Sequence, residues 1–401
     1  MNLVDLIRFE ADALWRNGRG KIFLAIALPW GILVGTRMAL PVLLPHIQSA
    51  YGISLSVAGL LVTILWLGTA IGQLPGGILA DRYSESLIMA VRVGVVAIAL
   101  TFVIFAPNTL ALFVAVLLWG LGHSLYPIAR ITILSDIYPD RLGSALGLTM
   151  ATGDIGQTVL PPIAGALAVL VAWQVGLGFV VLPLAVAAVA IWVLVPTSSQ
   201  DSSAVETLST KTARYILGEL RRPTMVFMTF ILFLYIFLWQ AFTSFFPTYL
   251  VAEKQLSPTI ASVLFGAFFA AGAVVKPLGG MAYDRIGMRW SLIVVLVGPV
   301  GGLLVLPLVD TLVPILLVTL LVSTMLGTGA ITQSFLADQF AADMQGTGLG
   351  VVRTTAAVLG SAGPVLFGVV ADRGFFDEGY VVLAAIMAVV VLLTFRMPEP
   401  S

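Results

Sequence analysis

The chain has 401 residues, of which 59% are hydrophobic and 10% charged, with a mean hydropathy of +1.06. A soluble domain carries about 25% charged residues, so a chain this long and this apolar takes the bilayer as its solvent, and a soluble globular fold is excluded. Net charge is zero and cysteine is absent, which removes disulfides and thiol chemistry.

Residues 1–20 hold Asp5, Glu10 and Asp12, with Val4, Ile7, Ala11 and Leu14 at helical spacing. They read as a short amphipathic helix on the membrane surface, not as a cleaved signal peptide. Twelve apolar stretches follow, each close to the ~20 residues that a spanning helix needs. The first six are 22–45, 56–79, 87–106, 110–135, 143–168 and 172–195; the second six are 225–249, 258–281, 290–309, 312–337, 346–370 and 380–396. Between the two sets lies the one long polar segment, from Pro196 to Pro223, Ser/Thr-rich at its start. The predicted organisation is a cytoplasmic N-terminal segment 1–20, a six-helix bundle 21–195, a linker 196–223 and a second bundle 224–397. Fourteen of the 20 Lys and Arg, Arg92 among them, fall at the termini or in alternate loops, whereas Lys254 and Arg373 lie in the opposite loops. The positive-inside rule then puts both termini and the linker in the cytoplasm of a multi-pass cell-membrane protein.

The two sets of six are copies. Gly76-Gly77-Ile78-Leu79-Ala80-Asp81-Arg82 returns as Gly279-Gly280-Met281-Ala282-Tyr283-Asp284-Arg285, and the same offset carries Gly143 onto Gly346, Pro161 onto Pro364 and Gly165 onto Gly368. Internal duplication of an apolar unit is the signature of a transporter built from two facing halves.

Twelve spans in two homologous sixes, a long linker and a G-x-x-x-D-R loop after spans two and eight resemble the major facilitator superfamily over nearly the whole chain. The resemblance implies an all-α integral membrane fold of twelve transmembrane helices in two pseudo-symmetric six-helix bundles. It also implies that spans 1, 4, 7 and 10 line a central cavity, spans 2, 5, 8 and 11 form the interface, and spans 3, 6, 9 and 12 face outward. In the family the loop reads G-x-x-x-D-[RK]-x-G-[RK]-[RK] and acts as a conformational latch. The second copy keeps Gly280, Asp284, Arg285, Gly287 and Arg289; the first keeps Gly77, Asp81 and Arg82 and departs at Ser84, Glu85 and Ser86.

Ionisable groups inside a bilayer are functional candidates by default. Deep in the spans stand Arg37, Arg130, Lys276 and Arg353 against one carboxylate, Asp154, and spans 3, 6, 9 and 12 hold none. Cations in excess point to an anionic solute gripped by N–H donors. Asp154, near mid-depth, is the candidate proton-coupling group, because desolvation and a neighbouring arginine push a carboxyl pKa in opposite directions. Structural alternatives stand beside each reading: snorkelling for Arg37 and Lys276, ion pairing of Arg130 with Asp136 or Asp154. His123 in span 4 and Tyr235, Trp239 and Gln240 in span 7 complete the candidate solute-binding set, and Thr324, Thr328 and Thr332 form a polar stripe in span 10. None of the deep charges repeats: the pairs are Arg37/Gln240, Arg130/Gln333, Asp154/Ala357, Gln73/Lys276 and Met150/Arg353.

The sequence therefore reads as a secondary transporter of a small organic anion, working by alternating access with a proton as coupling ion, monomeric, with no cofactor, metal or nucleic-acid partner. One rival is a proton-coupled exporter of hydrophobic or cationic compounds, for which Trp30, Trp66, Trp119, Tyr235 and Trp239 offer an aromatic lining. Another is a membrane sensor that binds without transporting. An enzyme is not expected: there is no H-E-x-x-H, no cysteine nucleophile, and only two histidines.

Overall fold

A computed structural model of the chain describes residues 19–72, 85–124, 126–196, 223–339 and 345–396, together with Trp15 and Gly218. Most of the predicted N-terminal surface helix, the latch residues Gly77, Asp81 and Arg82, and nearly all of the linker lie outside the described residues.

Regular structure among the described residues is helical. In the first half run α1 (Arg19–Tyr51), α2 (Leu55–Ile71), α3 (Glu85–Ile104), α4 (Thr109–His123), α5 (Tyr126–Ile137), α6 (Leu142–Leu170), α7 (Trp173–Gly178) and α8 (Val181–Leu194). The second half has α9 (Pro223–Ala252), α10 (Pro258–Val305), α11 (Leu312–Ser323), α12 (Thr328–Gln339), α13 (Gln345–Gly360), α14 (Gly363–Asp372) and α15 (Phe376–Phe395). The described residues of every predicted span fall largely on these helices, and residues 73–79 of span 2 lie outside the described residues. Spans 4, 6, 10 and 11 are each made of two helices in series, and spans 8 and 9 share α10.

Local chemistry sets the ends. Asn108 and Ser257 accept hydrogen bonds from the N–H groups of Ala111 and Ile260, capping α4 and α10. With 48 residues, α10 would run about 70 Å as one rod, more than twice the ~30 Å hydrocarbon core. It is broken at Gly287, whose φ of 71° and ψ of 176° only glycine adopts freely. The G-x-x-x-D-R loop thus sits at the junction of spans 8 and 9.

The chain divides into two compact units, residues 1–39 with 68–205 and residues 40–67 with 206–401. The duplication shows in how each is packed. In the first, α3 lies against α4 and α8, and in the second the matching part of α10 lies against α11 and α15. Contact of α1 with α6 is backbone to backbone: a Cβ on Gly156 would stand 2.0 Å from the carbonyl oxygen of Gly31, and one on Gly35 would stand 2.3 Å from that of Gly156. The repeat-related crossing of α9 with α14 is equally close, with a Cβ on Gly363 falling 2.3 Å from the Phe237 carbonyl oxygen. Small residues allow this close approach in membranes, where packing and not water exclusion joins helices.

Within the second unit a carboxylate seats the start of α2. Asp372, at the end of α14, accepts from the Leu55 N–H at 2.7 Å, from the Ser56 N–H at 2.8 Å and from the Ser56 hydroxyl. The N-terminal N–H groups of a helix lack intrahelical partners and carry partial positive charge, so an anion there acts as a cap supplied from a residue 317 positions away. Asp372→Ala is expected to cost about 1 kcal/mol, the usual worth of an N-cap, and to lower the melting temperature, with Asp372→Asn intermediate. Identical melting curves for all three proteins would remove the cap from the account.

Candidate functional site

In the first unit, α1 presents Trp30 and Arg37 two turns apart on one face. In the fourth span α4 ends at His123, with the Ser124 N–H reaching the Leu121 carbonyl at 3.3 Å, and α5 begins at Tyr126. From these two helices His123, Tyr126 and Arg130 all meet Trp30. The Tyr126 ring lies 6.1 Å from the indole at 14°, and the His123 ring lies 6.4 Å away at 29°. The Arg130 guanidinium carbon stands 4.2 Å from the Trp30 ring centroid. Two hydrogen bonds pin the helices: Tyr126 donates to the Ile26 carbonyl at 2.6 Å and Thr152 of α6 donates to that of Ala27 at 2.7 Å. Gly153 leaves room for the indole edge, since a Cβ there would fall 2.6 Å from Trp30 Nε1.

Arg130 is only 5% exposed and His123 1%. A desolvated cation over an indole gains about 2 kcal/mol, which offsets part of the burial penalty but supplies no hydrogen-bond acceptor for the guanidinium N–H groups. Among the described residues Arg130 Nε and Nη1, and His123 Nδ1, are buried without a hydrogen-bond partner. Arg37 is half-buried and within electrostatic reach of His123. The chemistry offered is positive charge and N–H donors beside an aromatic surface, suited to an anion with an apolar or ring portion. Asp154 follows Gly153 on α6 and is half-buried, with its backbone carbonyl accepting from the Thr158 hydroxyl.

The second unit presents neutral polar groups. On α9 the Tyr235 hydroxyl donates to the Met325 carbonyl at 2.9 Å, and the Trp239 ring meets that of Trp66 edge-on at 5.2 Å. Among the described residues Trp239 Nε1 and the Oε1 of the 2%-exposed Gln240 have no hydrogen-bond partner. Arg353 of α13 does not join this group by any described hydrogen bond; its Nη1 donates to Gln333 Oε1 on α12 at 3.2 Å. Sequence repeat position pairs Gln333 with Arg130, so one unit holds its cation on an indole and the other on an amide. Lys276 lies half-buried on α10 just before Pro277. Downstream on α10, Asp284 and Arg285 are exposed, and Gly280 and Arg289 are half-buried around the Gly287 break. The threonine stripe is largely self-satisfied, Thr324 donating to the carbonyls of Val295 and Leu321 and Thr332 to that of Thr328.

Two features escaped the sequence reading. Trp30 was legible as one of the aromatic lining residues but not as the partner of His123, Tyr126 and Arg130, because its stacking on span 4 joins residues about a hundred positions apart. Arg92, grouped by charge count with the loops, stands seven residues inside α3 and donates to Ser124 Oγ at 3.2 Å. Its place within the predicted span 87–106 was the available signal.

The family model of the Major Facilitator Superfamily matches residues 30–364 and, in a second alignment, 251–401. Among curated relatives, the hexuronate transporter of Bacillus subtilis (strain 168) is 26% identical over 385 residues, 91% of each chain. The probable sulfoacetate transporter of Cupriavidus necator is 24% identical over 401 aligned positions, 92% of each chain. A solved bacterial homologue of the human lysosomal transporter Spinster superposes with a TM-score of 0.82 over 96% of this chain and 100% of that one, at 15% identity, a likeness of fold.

Proposed function

This chain belongs to the Major Facilitator Superfamily, and from that premise we propose that it is a secondary transporter carrying a small organic anion across the cell membrane by alternating access. The observation that supports the anionic solute most directly is Arg130, over the Trp30 ring with buried N–H groups that have no described acceptor, next to His123 and Arg37. A cation buried in this way is costly until a negative group reaches it, and binding of an acid supplies that group. The names of the relatives agree in kind, one a sugar acid and the other a sulfonate carrying a carboxylate. Tyr235, Trp239 and Gln240 would serve the neutral part of the solute, Lys276 and Arg353 further negative charge, and the moving halves are residues 21–195 and 224–397, monomeric, with both termini cytoplasmic.

Asp154 is the proposed proton carrier. Its carboxyl group stands on a spanning helix beside Gly153, which packs against Trp30, and an ionisable group inside a span is a candidate carrier of the coupling ion. In proteoliposomes, uptake of uronates or sulfonates should rise on imposing an inward proton gradient, and Asp154→Asn should remove that response while leaving solute exchange measurable. Gradient-driven uptake that survives Asp154→Asn would assign coupling elsewhere. Efflux of cationic dyes without anion uptake would replace the anion reading altogether.

A further inference from the structure

On the first unit, α3 and α4 enclose a cleft of about 430 Å³ that the solute site does not use. Its volume lies within the range of ligand pockets, about 300–1,000 Å³. Its walls are Leu87 and Val91 on α3 and Leu118 and Leu121 on α4, all of them exposed large apolar side chains, as expected of a surface covered by acyl chains. One lining residue is charged: Arg92. Its described partners are neutral, Ser124 Oγ at 3.2 Å and the Leu121 carbonyl at a long 3.5 Å.

A cation seven residues into a spanning helix lies about 10 Å from that helix's start, inside a hydrocarbon half-thickness of about 15 Å. Helical side chains lean toward the N-terminus, so Arg92 leans toward the Glu85 end of α3. With the cytoplasmic orientation proposed above, that end faces the inner leaflet, whose anionic lipids gather at basic pockets between helices. An arginine in the wall of an otherwise apolar, bilayer-facing cleft is complementary to a phosphate ester with a hydrocarbon tail. We propose that this cleft binds an anionic phospholipid, its headgroup phosphate on Arg92 and an acyl chain running toward the bilayer centre past Val95 and Leu118. Ser124 ties the site to the end of α4, so the lipid borders the segment that carries His123 and Tyr126.

Native mass spectrometry of the purified full-length protein, titrated in detergent with phosphatidylglycerol or phosphatidylcholine, tests this independently of any transported solute. The wild-type protein should retain phosphatidylglycerol in preference. Arg92→Gln should weaken that retention by about five-fold, the worth of one interfacial basic residue, with phosphatidylcholine unchanged, and Arg92→Lys should largely preserve it. Leu118→Trp fills the cleft and keeps the cation; it should also lose phosphatidylglycerol, which covers the case in which Arg92→Gln folds poorly. Equal retention by wild type, Arg92→Gln and Leu118→Trp overturns the proposal. So does glycerol phosphate competing at concentrations like those of the lipid, which would make the ligand a soluble phosphate.

Discussion

Replacing Arg130 by glutamine is expected to weaken solute binding by roughly 10- to 100-fold, because hydrogen bonds from a charged donor contribute about 1.5–3 kcal/mol. The guanidinium carbon stands over the Trp30 ring, 4.2 Å from its centroid. Planarity and delocalised charge suit that position, whereas a lysine ammonium is a compact, strongly hydrated point charge. Arg130→Lys is therefore expected to recover little of the loss despite keeping the charge. The measurement is the half-saturation concentration for uptake of carboxylates and sulfonates into proteoliposomes, with ligand-induced thermal stabilisation as a check that does not depend on turnover. Wild-type affinity in Arg130→Gln would show that the Arg130 N–H groups serve structure alone. Because Arg130 is already buried without a described counter-ion, its removal should leave the melting temperature of the unliganded protein unchanged or raised. A structural role would lower it.

The second large effect concerns stability. Gly156→Ala places a methyl carbon 2.0 Å from the Gly31 carbonyl oxygen, and the obstacle is backbone, so no side-chain rotation can relieve it. Overpacking costs about 1–3 kcal/mol where side chains can yield, and here α1 and α6 must part along their crossing. Gly156→Ala should sharply lower the melting temperature or abolish recovery of folded protein. Gly147→Ala in the same helix is the control: no heavy atom lies within 4 Å of its would-be Cβ, and alanine is favoured over glycine in helices by about 0.5–1 kcal/mol. It should be neutral or stabilising. Similar melting of the two variants would mean that the α1–α6 crossing is looser than the backbone contact requires.

Apolar length and the 203-residue echo made the helices and their duplication readable, because both are properties of the chain taken one stretch at a time. Gly287 was already marked in the latch motif, and its left-handed φ gives that mark a physical reason. The interior joints were harder. The turn of 3-10 helix at Thr324–Gly327 falls inside a continuous apolar stretch, where hydropathy gives no sign of a change in backbone. The candidate site was readable in composition but not in arrangement: His123, Arg37 and Arg130 were conspicuous as lone polar residues, while nothing in the sequence set the indole that meets His123 and Arg130 apart from the other aromatic candidates. Asp372 was read as nothing at all, since its partners Leu55 and Ser56 lie in the other repeat.

The Tyr126 and Thr152 hydroxyls donate to the main-chain carbonyls of Ile26 and Ala27, and together with the glycine crossing one turn further along α1 they fix α5 and α6 to that helix. The Trp30 and Tyr126 rings are consequently held by the fold itself. Ordering a flexible side chain on binding costs about 0.5–1.5 kcal/mol; in the solute site proposed above these rings would meet that cost during folding, which favours discrimination between solutes over tolerance.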